Sequence, residues 1–193
     1  MNRVIHKKSW YLINGITLYR IFAAPFLLIL ILNGRLDVFK WLLGLSFFTD
    51  LIDGYLARKY QVTSMLGARL DSIGDDLTVL VAMIALLVTQ PAFIKQQIVI
   101  FIILLALFLI QAIYAFIRYG KFTSFHTYLA KAAALLQGLF FLAFFFLDRP
   151  NMVLFYVAAL VTMLELIEET ILVGMVKEWQ TNVHGVWWWL KGR

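Results

Sequence analysis

Six apolar runs, each long enough to cross a lipid bilayer, dominate this chain of 193 residues. They lie at about 13–33, 39–57, 72–90, 97–117, 128–147 and 152–173. Hydrophobic residues make up 63% of the chain and charged residues only 15%, a profile that excludes an ordinary soluble domain of this length. The pattern predicts an all-α integral membrane protein, a six-transmembrane-helix bundle that forms a single domain over residues 1–193.

The basic residues are distributed unevenly between the two ends of the predicted spans. One side has only Arg35, Lys40, Lys95 and Arg149, while both termini and the second-to-third and fourth-to-fifth links together carry twelve. The positive-inside rule therefore predicts that both termini face the cytoplasm. The net charge of +6 reflects the same bias, because basic residues on the cytoplasmic side meet anionic lipid headgroups. No nucleic-acid partner is therefore expected. The absence of cysteine excludes disulfides and Cys-based zinc sites.

The two ends of the chain have features of the membrane interface. Residues 2–12 mix Arg, His and Lys with Val, Ile, Trp and Leu, which predicts a short N-terminal interfacial helix. Trp187, Trp188 and Trp189 stand beside Lys191, and we interpret them as an interfacial anchor, with a functional role as the alternative.

Four aspartates stand out against this apolar background: Asp50, Asp53, Asp71 and Asp75. Each pair spans about one helical turn, so two successive helices would each present two carboxylates on one face. A carboxylate at membrane depth costs roughly 2.5 to 3.5 kcal/mol, which ordinary packing does not offset. Clustered oxygen ligands suit a hard divalent cation such as Mg2+, and Mg2+ in turn organises phosphates.

Small residues and an arginine accompany the aspartates. Gly54 and Ala57 share the face of the first pair, and Gly67 shares the face of the second, which leaves room for a ligand or a neighbouring backbone. Arg58 follows on the first helix, and a guanidinium beside a metal site suits a phosphate or pyrophosphate. The charge bias of the loops predicts this cluster at the cytoplasmic end of its helices.

The combined spacing resembles a known family signature. Asp50-x2-Asp53-Gly54-x2-Ala57-Arg58-x8-Gly67-x3-Asp71-x3-Asp75 matches the motif of the CDP-alcohol phosphotransferases, also called CDP-alcohol phosphatidyltransferases, at every specified position. The opening segment NGITLYRIFAAP, with Asn14, Thr17, Arg20 and Pro25, is also similar to that family. Six spans with the motif on the second and third extend the resemblance over nearly the whole chain.

The resemblance implies a reaction and roles for the motif residues. Members cleave the pyrophosphate of a CDP-linked lipid, transfer the phospho-group to a hydroxyl and release CMP. By the resemblance, Mg2+ or Mn2+, with two ions expected, is held by Asp50, Asp53, Asp71 and Asp75, and Asp75 is also the general base. The implied CDP contacts are Asn14, Thr17, Gly54, Arg58, Ser64 and Gly67. The resemblance further implies CDP-diacylglycerol as donor, a homodimer, and the bacterial inner (plasma) membrane.

The acceptor alcohol is left open by this motif. Arg118, Lys121 and Lys131 lie at the cytoplasmic ends of the fourth and fifth runs, and they are either ordinary positive-inside charges or a pocket for an anionic acceptor. Glycerol 3-phosphate, giving phosphatidylglycerol phosphate, is the best candidate. Phosphatidylglycerol, giving cardiolipin, and inositol phosphate or another small alcohol are alternatives. A structural ion-pair set and a cation transporter are the non-enzyme alternatives for the aspartates.

Some acidic residues fall outside the family pattern. Asp76 stands where many members carry a basic residue, and it points about 100 degrees away from the face of Asp75. Glu165, Glu168 and Glu169 are interpreted as a solvated or interfacial helix end, with a cavity wall or subunit contact as the alternative. Gln137 is predicted to form an interhelical hydrogen bond.

Overall fold

The computed structural model describes residues 2–60, 65–123, 125–147, 150–180 and 183–192. Up to residue 72, side chains are described at residues 15, 18–50, 52, 67, 70 and 72. Over the described ranges the chain forms eight helices and no strand. They are α1 (Asn2–Leu32), α2 (Leu36–Tyr60), α3 (Met65–Thr89), α4 (Pro91–Gln96), α5 (Ile98–Tyr119), α6 (Tyr128–Phe146), α7 (Met152–Met175) and α8 (Val186–Lys191).

Each of the six predicted apolar runs falls on one long helix, in the predicted order. Three segments among the described residues are long and apolar enough to cross a membrane by length and composition: Ser72–Thr89, Ile98–Tyr119 and Tyr128–Phe146. Leu18–Leu32 is a shorter apolar segment, and α7 carries Glu165, Glu168 and Glu169, which lower its hydropathy. The all-helical membrane architecture is thus supported, and the count of six spans stays a prediction.

The prediction of a separate short N-terminal helix is wrong. Residues 2–12 belong to α1, which continues without interruption to Leu32. The reason is that neither a proline nor a turn separates residues 2–12 from the apolar run that follows. Pro25 lies inside α1 without ending it, and the first turn comes after Leu32, where Gly34 adopts a left-handed φ of 68°. There the Arg35 amide donates to the Leu30 carbonyl over 2.9 Å, which closes the turn into α2.

The chain divides into two compact units, Met1–Pro91 and Ala92–Arg193. In the first unit α1 packs against both α2 and α3, and α2 also contacts α3. Buried apolar side chains fill this three-helix unit: Ala24, Leu27, Ile31, Phe39, Leu43, Val81, Ala82, Ala85 and Leu86. A residue of α1 that faces this core can therefore reach both neighbouring helices.

In the second unit α7 packs against α5 and α6, and the short α8 rests on α7. An aromatic cluster joins α4 to the following helices, with Phe93 at ring-centroid distances of 5.1 Å from Phe155 and 5.8 Å from Phe144. A second cluster lies around the end of α7 and comprises Ala115, Phe125, Leu172, Val173, Val176 and Val183.

Helix boundaries in this unit follow recognisable caps. The side chain of Thr127 accepts from the Ala130 amide at the start of α6, and that of Asn151 accepts from the Leu154 amide at the start of α7. Gly120 ends α5 with a left-handed φ of 64°.

The outer face of α5 is consistent with a lipid environment. Ile102, Leu105, Leu109 and Ile113 are between 46% and 58% exposed on this helix. A row of exposed aliphatic side chains at helical spacing is unfavourable in water and favourable against acyl chains.

Candidate active site

Arg20 of α1 is the most buried charged side chain that the structure describes, with 1% of its surface exposed. Its Nη1 atom lies 2.5 Å from Oδ1 of Asp50 on α2. The same Nη1 donates to Oδ1 of Asp75 on α3. One guanidinium nitrogen therefore joins carboxylates from two different helices, inside the first unit.

The packing of α1 against both motif helices explains this arrangement. Arg20 lies against Gly74, the residue before Asp75, on α3. A methyl group added at Gly74 would lie 3.5 Å from Cζ and 3.6 Å from Cβ and Nε of Arg20, which is ordinary van der Waals contact. The guanidinium is thus packed along α3 and directed at the acidic residues.

The side chains of Arg20, Asp50 and Asp75 differ in their exposed fraction. The side chain of Asp50 is 28% exposed and that of Asp75 is 35% exposed, against 1% for Arg20. Removing the anionic partners would leave a buried guanidinium uncompensated, at a cost of about 3–5 kcal/mol, so Arg20 depends on these carboxylates. The two carboxylates form the more exposed side of the cluster.

The structure places the two halves of the motif on the two helices that the sequence predicts. Asp50, Asp53, Gly54, Ala57 and Arg58 lie on α2, and Gly67, Asp71 and Asp75 lie on α3. Gly67 is half-buried. Ser64 lies outside the described residues. The predicted site residues whose side chains also lie outside the described part are Asn14, Thr17, Asp53, Arg58 and Asp71.

The described residues fit one part of a divalent-metal site. Two carboxylates from different helices converge within reach of a single cationic group, and carboxylate oxygens are the ligands that Mg2+ and Mn2+ prefer. Among the residues with described side chains, no group of three or more His, Cys, Asp or Glu residues is arranged to hold a metal. The full set of four carboxylates therefore stays a prediction.

Sequence reasoning did not assign a site role to Arg20. The signal was present, because Arg20 is the only charged residue between Lys8 and Arg35. A lone charge in an apolar run requires an internal partner, and the aspartates of the next two spans were the available anions. Asp76, by contrast, has an exposed side chain.

The three basic residues proposed for the acceptor belong to the second unit. Nη2 of Arg118 donates to the Val176 carbonyl over 3.3 Å, and Nζ of Lys121 lies 5.3 Å from the Trp179 ring centroid. Nζ of Lys131 lies 5.2 Å from the Tyr128 ring centroid. Arg118 and Lys121 thus both reach the segment that follows α7. All three side chains are exposed.

A buried polar cluster in the second unit changes the interpretation of the glutamates on α7. Glu169 is 8% exposed, and its Oε2 accepts from Nε2 of Gln111 over 2.9 Å and from Oγ1 of Thr123 over 2.8 Å. The interpretation of a solvated helix end is therefore wrong for Glu169. Oε1 of Glu168 accepts from the Val186 amide over 3.2 Å, so these two glutamates fix two different segments against α7.

The predicted interhelical role of Gln137 is confirmed. Its Nε2 atom on α6 donates to Oγ1 of Thr162 on α7 over 2.8 Å. This bond supports the packing of α6 on α7 and assigns Gln137 a structural role.

Parts of this chain are similar in sequence to several named proteins. The chain is 38% identical over 66 residues to the CDP-diacylglycerol–inositol 3-phosphatidyltransferase of Saccharomyces cerevisiae, covering 34% of this chain and 30% of the relative. It is 35% identical over 80 residues to the CDP-diacylglycerol–glycerol-3-phosphate 3-phosphatidyltransferase of Cereibacter sphaeroides, covering 39% and 36%. No solved structure gives a significant match.

A third relative is the CDP-diacylglycerol–glycerol-3-phosphate 3-phosphatidyltransferase of Haemophilus influenzae. The identity is 33% over 82 residues, which cover 40% of this chain and 44% of the relative. The chain thus spans less than half of the length of the curated relatives it matches. A sequence model of the family described as CDP-alcohol phosphatidyltransferase matches residues 10–164, which include α2, α3 and the Arg20 cluster. This chain therefore belongs to the CDP-alcohol phosphatidyltransferase family.

Proposed function

We propose that this protein transfers the phosphatidyl group of CDP-diacylglycerol to an alcohol and releases CMP. The observation that carries the proposal is the convergence of Asp50 and Asp75, from two helices, at the edge of a cluster inside a membrane bundle. Family membership over residues 10–164 supports the same reaction class. The proposed location is the bacterial inner membrane, with the site at the cytoplasmic face and the chain assembled as a homodimer.

The proposed reaction is a displacement at the phosphorus of the phosphatidyl group. The acceptor oxygen forms a bond to that phosphorus, and the bond to the oxygen that bridges to CMP breaks. The leaving CMP retains the electron pair of that bond, and the acceptor proton passes to the Asp75 carboxylate. Asp75 suits this role because 35% of its side chain is exposed, so a hydroxyl group can approach it.

We also propose that the active site binds divalent metal ions. Asp50, Asp53, Asp71 and Asp75 would hold one or two Mg2+ or Mn2+ ions, and the bound metal would neutralise charge on the pyrophosphate. The described pair, Asp50 and Asp75, supplies hard oxygen ligands from both motif helices. Asn14, Thr17, Gly54, Arg58, Ser64 and Gly67 are proposed to contact the CDP moiety.

Glycerol 3-phosphate is the proposed acceptor. Two of the relatives described above carry this alcohol in their names, and one carries inositol. A phosphorylated acceptor needs cationic groups, and the exposed side chains of Arg118, Lys121 and Lys131 are the proposed candidates. Phosphatidylglycerol and inositol phosphate are the competing acceptors.

The test is CMP release by the purified full-length chain supplied with CDP-diacylglycerol, Mg2+ and a panel of alcohols. We expect CMP to appear with glycerol 3-phosphate, to be abolished by EDTA, and to be accompanied by phosphatidylglycerol phosphate in lipid mass spectrometry. Release with phosphatidylglycerol or inositol phosphate would instead reassign the acceptor. No release with any alcohol would reject the enzyme proposal, and cation flux in liposomes without lipid substrate would support the transporter alternative.

A further inference from the structure

We propose that Arg20 is a positioning residue that orients Asp50 and Asp75 for a divalent cation. The proposal deepens the proposed function, on which it rests for the identity of the bound ion. It concerns this buried guanidinium rather than the aspartates that the family motif already identifies.

The first argument is the geometry of the contacts. A single nitrogen, Nη1, meets Oδ1 of Asp50 and Oδ1 of Asp75. Each of these carboxylates also has a second oxygen with its own lone pairs. A fixed donor that holds one oxygen of each group sets the rotation of both carboxylates, and hence the direction in which the second oxygens present themselves.

The second argument is the direction of access. Arg20 is 1% exposed, whereas Asp50 and Asp75 are 28% and 35% exposed. The guanidinium therefore lies on the closed side of the cluster and the carboxylates on its open side. An ion that arrives from the aqueous phase meets the carboxylates first, with Arg20 behind them as an outer support.

The third argument is the rigidity of Arg20 itself. Its side chain packs along α3 at Gly74, with Cβ, Nε and Cζ all 3.5–3.6 Å from the position that a methyl group would occupy there. Its backbone belongs to α1, which packs against α2 and α3. The donor is thus held by the same helices whose carboxylates it orients, as expected of a group that supports metal ligands.

An orienting role and a purely electrostatic role predict opposite effects of removing the charge. If Arg20 mainly competes with the metal as a cation, Arg20→Gln tightens metal binding. If Arg20 orients the ligands, the same variant weakens binding, typically by about 10- to 100-fold for the loss of such a partner. The sign of the change therefore decides between the two roles.

The experiment measures Mn2+ binding to the purified full-length chain in detergent, without lipid substrate, by electron paramagnetic resonance of free Mn2+. We expect Arg20→Gln to weaken the Mn2+ affinity by about 10- to 100-fold. The matched control is Arg35→Gln, which removes an exposed arginine in the turn after α1 and should leave the affinity unchanged. In the CMP-release assay, Arg20→Gln should raise the half-activating Mg2+ concentration, and saturating Mg2+ should restore kcat.

Unchanged or tighter Mn2+ binding by folded Arg20→Gln would overturn the proposal. If that variant does not fold, Arg20→Lys takes its place: a mobile ammonium orients the carboxylates less well than a planar guanidinium, so about 10-fold weaker binding is expected. Wild-type affinity in folded Arg20→Lys would then overturn it. Absence of Mn2+ binding by the wild-type chain also overturns the proposal. Mn2+ binding without CMP release refutes the proposed function alone.

Discussion

At the scale of single residues, the charged side chains of this chain are divided between buried and exposed positions with different tasks. Arg20 and Glu169 are buried and have hydrogen-bonding partners from other segments of their own unit. Lys121 and Lys131 are exposed and lie over aromatic rings. A cation over a ring contributes only about 0.5–1 kcal/mol at an exposed site.

Lys131 is the residue whose substitution tests the acceptor. Lys131→Ala is expected to raise KM for glycerol 3-phosphate while KM for CDP-diacylglycerol stays near its wild-type value, because the lost charge would bind only the acceptor phosphate. Steady-state CMP release measures both constants. Lys95→Ala removes another exposed lysine, from α4, and serves as the control. An unchanged acceptor KM would remove Lys131 from the proposed pocket.

At the scale of helices, the long elements could be predicted from the sequence and the short ones could not. The apolar runs mark α2, α3, α5, α6 and α7 because roughly twenty apolar residues give a strong signal. The six residues of α8 are too few for a periodic pattern, and its start depends on tertiary contacts. Gly185 there has φ 139°, and a methyl group on it would lie 2.8 Å from Oε1 of Glu168.

The candidate site, like the set of helices, could be predicted only in part from the sequence. Motif spacing predicts which helices carry the acidic residues, since a carboxylate pair about one turn apart shares a helix face. The Arg20 contacts depend on how α1 rotates against α2 and α3, which no local pattern specifies. For the same reason the association of Glu169 with Gln111 and Thr123 was not predicted, because these residues come from three separate segments.

The buried polar cluster makes a prediction about stability. Glu169→Ala would remove the carboxylate that accepts from both Gln111 and Thr123. Gln111 would still donate to Oγ1 of Thr123, but the partly buried Thr123 hydroxyl would lose its acceptor, at a cost of about 1–3 kcal/mol. We expect a lower Tm for this variant. Tryptophan fluorescence of the full-length chain in detergent measures it. Glu178→Ala removes an exposed carboxylate beyond the end of α7 and should leave Tm unchanged. Equal Tm values for the two variants would show that the cluster contributes nothing to stability.

At the scale of the whole molecule, the proposed membrane topology rests on the six predicted spans and on the charge bias of the links. The natural chain has no cysteine, so a single introduced cysteine is the only thiol that a maleimide can label. Lys95→Cys is predicted to react with a membrane-impermeant maleimide on intact spheroplasts, and Lys121→Cys only after permeabilisation. Labelling of both positions from the same side would contradict the predicted orientation.

The family match spans both compact units of the chain, since it runs from residue 10 to residue 164. The Arg20 cluster belongs to the first unit, and the candidate acceptor residues belong to the second.

The most direct test of the proposed reaction compares Asp75→Asn with Asp76→Asn in the CMP-release assay. The two variants make the same chemical change at adjacent positions. Of the two residues, Asp75 is the one with a described contact to Arg20, and Asp75 is also the proposed general base. Asp75→Asn is expected to lower kcat by about 10²–10⁴-fold, as for the loss of a general base, while Asp76→Asn keeps most of the activity. Equal CMP release by Asp75→Asn and the wild-type chain would contradict the account.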